Sequence, residues 1–188
     1  MEMRDHIIAS AQRLVQQRGF NGFSYADIAD EVGIRKASLH HYFPTKIDLG
    51  LTLIEEYTAQ FDNELLRIDG SFAQADAKLR AYVALYRGAL EADRMCLCGM
   101  LATEVLTLDP AMLPSLKHYF VRNTEWLAEV LATGKSQRLL AFTGTAADQA
   151  RAFLSTLQGA LLIARATGDR EAFDHTTSLL VTGLTRNG

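Results

Sequence analysis

Between Val32 and Ile47 the chain carries Arg35, Lys36 and Lys46 and no acid. Interleaved with those cations are Ser38, His40, His41 and Tyr42. The set supplies positive charge, hydroxyls, ring nitrogens and flat rings, and nothing that repels a phosphate. On one side of a short helix, such groups suit a DNA groove. Base edges there ask for directional hydrogen bonds, and the backbone asks for cations. The same spacing also describes an amphipathic helix whose polar side is simply solvated, and spacing alone leaves both readings open.

A second string with chemical potential is Met95-Cys96-Leu97-Cys98-Gly99. A metal site would need more ligands than two thiols and five scattered histidines offer, so no metal is expected. A redox or electrophile sensor at Cys96 or Cys98 would need an accessible thiolate, for which the neighbouring Arg94 gives modest support. A disulfide between them is disfavoured, because residues two apart on a helix point to different sides. The plainest reading is small buried thiols packed beside a glycine. Glu104 follows the apolar Gly99-Met100-Leu101-Ala102. A partly buried carboxylate there needs a partner, either a basic or amide-bearing ligand or the end of a neighbouring helix. Gly134-Lys135-Ser136 imitates the end of a phosphate loop, but Glu129 stands where the first glycine would be. No other nucleophile, zinc or dinucleotide motif is present, so an enzyme is not expected and no cofactor is called for.

The elements that must position these groups are helical. Ile7, Ala11, Leu14 and Val15 line one face of a first helix, which Gly19-Phe20-Asn21-Gly22 ends. Ser24-x-x-Asp27 opens a second, with Tyr25, Ile28, Ala29 and Val32 on its buried side and Gly33 at its turn. Arg35 to Phe43 is a third, stopped by Pro44, with Ala37 and Leu39 expected to pack inward and Phe43 to close the core. Thr45-x-x-Asp48 repeats the cap signature and starts a long helix to about Ile68. Lys46, in its first turn, stands where outward amides make a ready phosphate site. Further helices are expected over 71–94, 99–107, 110–133, 145–167 and 170–186. Breaks are expected at Asp69-Gly70, Cys98-Gly99, Asp109-Pro110, Thr133-Gly134 and Gly168-Asp169. No segment alternates like a strand. The fold expected is all-α: an N-terminal three-helix helix-turn-helix over 1–48 and a C-terminal helical domain over 49–188.

With 188 residues the chain is long enough to bury a core without disulfides. A net charge of −3 argues against a protein coated in nucleic acid over its whole surface. The charge is uneven, however. Residues 1–48 hold six basic and six acidic groups, so the excess acid lies in the remainder. No apolar run approaches the ~20 residues of a membrane helix, and MEMRDHIIAS lacks a signal-peptide core, so a cytoplasmic protein is expected.

The run Phe23-Ser24-Tyr25-Ala26-Asp27-Ile28-Ala29, then Gly33-Ile34, then Ala37-Ser38-Leu39-His40-His41-Tyr42-Phe43-Pro44-Thr45-Lys46-Ile47-Asp48-Leu49 resembles the N-terminal domain of the tetracycline-repressor (TetR) family. The resemblance spans about residues 4–53. It implies a dimeric transcriptional regulator, typically a repressor that leaves a palindromic operator when a small apolar or amphipathic ligand binds. By position it assigns Ser24, Lys36, Ser38, His40, His41, Tyr42 and Lys46 to the DNA-facing set, and the cation Arg35 at the start of the same helix is counted with them. Arg35 stands where the family usually has a capping Ser or Thr, and His40-His41-Tyr42 is a rearranged Tyr-x-His. Two alternatives keep the fold: a switch at Cys96 or Cys98, and a ligand-binding dimer that no longer reads DNA.

The resemblance also places a ligand pocket within residues 55–180, for which Tyr82, Tyr86, Cys98, Met100, Glu104, His118, Trp126 and Gln158 are the candidates. Core packing is the ordinary role for such residues. The last two helices combine alanines and Gly159 with Phe153, Leu157, Leu161, Phe173, Leu180 and Leu184. Small residues let a neighbouring helix approach closely, so these two are the expected homodimer surface, with an internal core as the alternative.

Overall fold

The computed structural model describes residues 2–185. Among them are nine α-helices: α1 Met3–Arg18, α2 Tyr25–Val32, α3 Lys36–Tyr42, α4 Lys46–Ser71, α5 Ala75–Glu91, α6 Leu97–Thr103, α7 Leu113–Ser136, α8 Ala146–Thr167 and α9 Arg170–Thr182. One 3₁₀ turn, Pro110–Met112, precedes α7. Among the described residues, β-like pairing is confined to the isolated bridge between Leu140 and Thr185.

Two compact units form. The first contains the residues up to Gln60 together with Cys96–Tyr119; the second contains Phe61–Met95 and the chain from Phe120 onward. A division after residue 48 falls in the first turn of α4, whereas packing shares α4 between the units and joins α6 to α1. The first unit, the head, closes over Ile7, Ala11, Leu14, Val15, Ile28, Leu39, Leu49 and Leu53, all buried. The second, the body, closes over Ile68, Leu79, Tyr82, Leu127, Phe153, Leu157, Leu161 and Phe173. Each such valine, leucine, isoleucine or phenylalanine contributes roughly 1.5–3 kcal/mol by leaving water.

Three expected breaks are displaced. α4 continues through Asp69-Gly70 to Ser71, and α7 through Gly134 to Ser136. Gly134 is there for closeness: a Cβ would lie 2.5 Å from Leu140 and 2.6 Å from Ala75. Cys98-Gly99 lies inside α6, whose N-cap is Cys96, its Sγ accepting the Gly99 N–H at 3.4 Å. α9 ends at Thr182, and the expected endpoint at 186 lies outside the described residues.

Candidate nucleic-acid interface

α2 starts where Ser24 and Asp27 exchange hydrogen bonds. The Ser24 backbone N–H and its hydroxyl both donate to Asp27 Oδ2 at 2.7 Å, and Ser24 Oγ accepts from the Asp27 backbone. These bonds hold the Asp27 carboxyl below the usual range. They also commit the Ser24 hydroxyl proton to the cap. Gly33 ends α2 in the left-handed region, φ +76°, where a side chain would be strained, and the chain turns into α3. Arg35 is the N-cap of α3 and makes no side-chain cap, as expected of a residue with no acceptor.

Only Leu39 of α3 is buried. Lys36, Ser38, His40, His41 and Tyr42 are exposed, and so is Arg35. Ala37 is exposed too, which corrects the inward packing expected of it: a seven-residue helix presents too little face to bury both Ala37 and Leu39. Tyr25 fixes the turn between α3 and α4. Its hydroxyl lies 2.6 Å from the Thr45 carbonyl oxygen and 3.0 Å from that of Phe43. Burial, then the nearby Asp48 charge, pushes the phenol up to about 12, so it stays a donor. The Tyr25 and His40 rings lie 4.7 Å apart, and His40 Nδ1 is 3.2 Å from the Pro44 carbonyl. A nitrogen facing a carbonyl carries the proton, so in neutral His40 the other nitrogen, Nε2, is an acceptor. It suits the exocyclic amino group of a base better than a phosphate.

Lys46 is placed differently from the expectation. Its Nζ donates to the carbonyls of Phe20, at 2.6 Å, and Phe23, and lies 4.2 Å from the Phe23 ring centroid. Burial lowers its pKa, against the pull of Glu104 and Asp27. The ammonium is engaged by the α1–α2 loop. Thr45 and Asp48 form the expected cap at α4.

Residues 7–51 match the family described as "Bacterial regulatory proteins, tetR family". A solved TetR-family transcriptional regulator from Agrobacterium tumefaciens is 35% identical, with 98% of each chain covered and a TM-score of 0.95. The chain belongs to the TetR family. It is a helix-turn-helix transcriptional regulator, not an enzyme. The HTH-type transcriptional repressor NemR of Escherichia coli is 25% identical, over 87% of this chain and 84% of that protein. The crystal structure of reduced E. coli NemR, at 23% identity, shares the fold with a TM-score of 0.84 and 98% coverage of both chains.

The expected pocket residues of this TetR-family chain divide between its two units. Tyr82, Tyr86, Trp126 and Gln158 belong to the body; Cys98, Met100, Glu104 and His118 belong to the head. Tyr82 is fully buried, donates to Asn123 Oδ1 at 2.8 Å and lies 3.2 Å from the Tyr86 hydroxyl. Trp126 stacks on Tyr82 at 5.4 Å and donates its indole N–H to Asp69. Phe61 and Phe153 complete the aromatic cluster. Gln158 Nε2 is buried with no hydrogen-bond partner among the described residues. Trp126 also lines two body cavities of about 220 and 370 Å³, together with Asp69 and Glu129.

In the head, His118 is exposed, and Met100 is half-buried on α6. Glu104 is not reserved for a ligand: its carboxylate accepts the backbone N–H of Phe20 at 2.6 Å and of Asn21 at 3.2 Å. The sequence offers a neighbouring helix end as one partner for this acid, but nothing local says which. Cys96 and Cys98 are free and buried. Cys96 Sγ lies 3.4 Å from the Tyr119 hydroxyl, and burial pushes the Cys98 thiol well up.

The residues named for a dimer surface turn inward. Phe153, Leu157, Leu161, Phe173 and Leu184 are buried within the protomer, and Leu180 is half-buried. This corrects the assignment. The richest apolar stripes of α8 and α9 serve the body's own core, where they meet each other and α5. What those helices leave exposed is Leu162, Ile163 and Leu179 (66%). A cavity of about 290 Å³ there is lined by Thr156, Gly159, Ala160, Ile163, Ala164, Ala172 and Thr176.

Proposed function

We propose that the protein is a homodimeric repressor that binds a palindromic DNA site through α3 and is released by a small apolar or amphipathic ligand held in the body. The observation that carries the DNA part is the surface of α3: one buried leucine, and cations, hydroxyls and rings on every other side. The rearranged His40-His41-Tyr42 keeps this surface, which favours DNA reading over a dimer that has lost it. The NemR likeness supports repression as the sign of control. Two separate features of the body support an amphipathic effector: the aromatic cluster around Tyr82, and the buried Gln158 amide nitrogen with no partner among the described residues. A second face of α8 and α9, carrying Leu162, Ile163 and Leu179, supports the dimer.

Thiol switching is the weaker reading. Both thiols are buried, and the Cys98 environment opposes the thiolate that attack requires. The Cys96→Ser, Cys98→Ser double variant is therefore expected to keep its signal response.

The test is selection of bound duplexes from random DNA. A palindrome is expected, because a two-fold dimer presents two copies of α3. Enrichment of a single unrepeated half-site would overturn the dimeric mode, and enrichment of nothing would overturn DNA reading.

A further inference from the structure

We propose that Glu104 is a positioning residue for DNA binding, holding the α1–α2 loop by its amides while Lys46 holds the same loop by its carbonyls. The proposal rests on the DNA-reading assignment of α3. Phe20 is gripped at both ends of its own backbone: its N–H donates to Glu104 Oε2 and its C=O accepts from Lys46 Nζ, each at 2.6 Å. Asn21 adds its N–H to Glu104 Oε1, and its side-chain amide donates to Thr107 Oγ1 at 2.8 Å. The receiving turn is itself set, because the Thr107 N–H and hydroxyl both donate to the Glu104 carbonyl.

The chain has made room for this acid. Gly19 has φ +83°, and a Cβ there would stand 2.8 Å from Glu104 Oε1. Three residues after Asn21 the chain reaches Ser24, the cap of α2, and then Tyr25, which holds the α3–α4 turn. The height of the loop thus sets where α2 begins, and α2 supports α3. Charge-assisted bonds to backbone groups are among the stronger positioning contacts a side chain makes.

The sign of the effect on DNA separates positioning from incidental placement. An acid in the unit that reads DNA repels phosphate, so neutralising one that does nothing else leaves affinity equal or raises it. Positioning predicts the reverse. The probe is the duplex that the unaltered protein selects from random DNA, with a scrambled duplex for non-specific binding.

Glu104→Gln, which keeps one acceptor oxygen, is expected to lose about tenfold in affinity for the selected duplex, and Glu104→Ala more. Non-specific binding and the salt slope should stay unchanged. Asp30→Asn, at an exposed acid of α2, supplies the electrostatic baseline and should bind at least as tightly as the unaltered protein. Amide hydrogen exchange guards against general unfolding: faster exchange is expected at Phe20 and Asn21, with Leu14 and Ile28 unchanged. Faster exchange at Phe20 and Asn21 with unaltered or higher DNA affinity would overturn the proposal alone. Loss of protection at Leu14 and Ile28 in Glu104→Gln would also overturn it, making Glu104 a general stability residue. Failure of the unaltered protein to select any duplex would overturn the DNA reading first.

Discussion

Tyr25, Lys46 and Glu104 of the head and Tyr82 and Trp126 of the body use their polar groups in opposite ways. In the head, Tyr25, Lys46 and Glu104 all bond to main-chain groups: carbonyls of Phe43, Thr45, Phe20 and Phe23, and amides of Phe20 and Asn21. In the body, Tyr82 bonds to Asn123, approaches Tyr86, and stacks under Trp126, which bonds to Asp69. A side chain that grips backbone fixes the path of a loop and admits one shape. A network among side chains inside an aromatic cluster can be rearranged rotamer by rotamer. The first arrangement suits a surface that must match a rigid duplex, and the second suits the effector site proposed for the body.

The largest expected effect tests which face of the body's α8 and α9 is core. Leu161→Glu places a charge among fully buried groups with no partner, and insoluble or unfolded protein is expected, a loss of roughly 4 kcal/mol or more. Leu179→Glu lies on the exposed face. It should leave the thermal midpoint within a few degrees and shift sedimentation from dimer to monomer. A soluble, folded Leu161→Glu monomer would reverse the two faces.

Next come the two phenols. Tyr25→Phe leaves backbone carbonyls of Phe43 and Thr45 short of a donor, a loss of about 1–3 kcal/mol in unfolding free energy. Because the contact is to backbone, DNA affinity should fall with it. Tyr82→Phe leaves Asn123 Oδ1 short of a donor at a similar cost. Its DNA affinity should not change. Equal DNA effects from both would erase the distinction between the regions.

Two lysines of the head make a third contrast. Lys36 is exposed on α3, whereas Lys46 is engaged by carbonyls. Lys36→Ala should reduce the salt slope of DNA binding by about one charge and leave stability alone. Lys46→Met should cost stability, about 1–3 kcal/mol, and leave the slope alone. Fluorescence anisotropy across a salt series separates them, and a flattened slope in Lys46→Met would return that ammonium to the phosphates.

Local patterns in the sequence carry the helical frame. Ser24-x-x-Asp27 and Thr45-x-x-Asp48 mark two helix starts, and Ile7, Ala11, Leu14 and Val15 mark a buried face, because caps and periodicity are short-range. The exposure of the polar residues of α3 is legible for the same reason, whereas that of Ala37 is not. Long-range partners are not. Glu104 and Phe20 are 84 residues apart, and nothing near either names the other. Periodicity also shows that a stripe is apolar without saying what covers it. It therefore points Leu161 at a partner subunit, when α5 and α9 of its own chain lie against α8. Gly134 reads as a break because sequence does not distinguish a glycine that ends a helix from one that admits Leu140.

The smallest effect concerns a motif the two regions share. Ser24–Asp27 in the head and Thr145–Asp148 in the body are the same cap, and in each the hydroxyl bond, with the residue's backbone, holds the carboxyl below its usual range; Arg151 adds to this at Asp148. A carboxyl whose folded pKa lies below its unfolded value binds its proton more weakly when folded. Its contribution is therefore present above the unfolded value, near 4, and is lost as pH falls through the folded one. Asp27→Asn and Asp148→Asn should each flatten the fall in thermal midpoint on acidification below about pH 4 and change little near pH 7. The two should differ in one respect. Asp27→Asn keeps an acceptor oxygen for the Ser24 hydroxyl but weakens that bond, and it removes an acid from the DNA-reading head. DNA affinity measured at pH 7 should rise in Asp27→Asn and stay level in Asp148→Asn. A fall in Asp27→Asn would mean that the intact cap, holding the start of α2, contributes more to DNA reading than the charge subtracts, and that Ser24 acts through the cap, as Tyr25 acts through the turn.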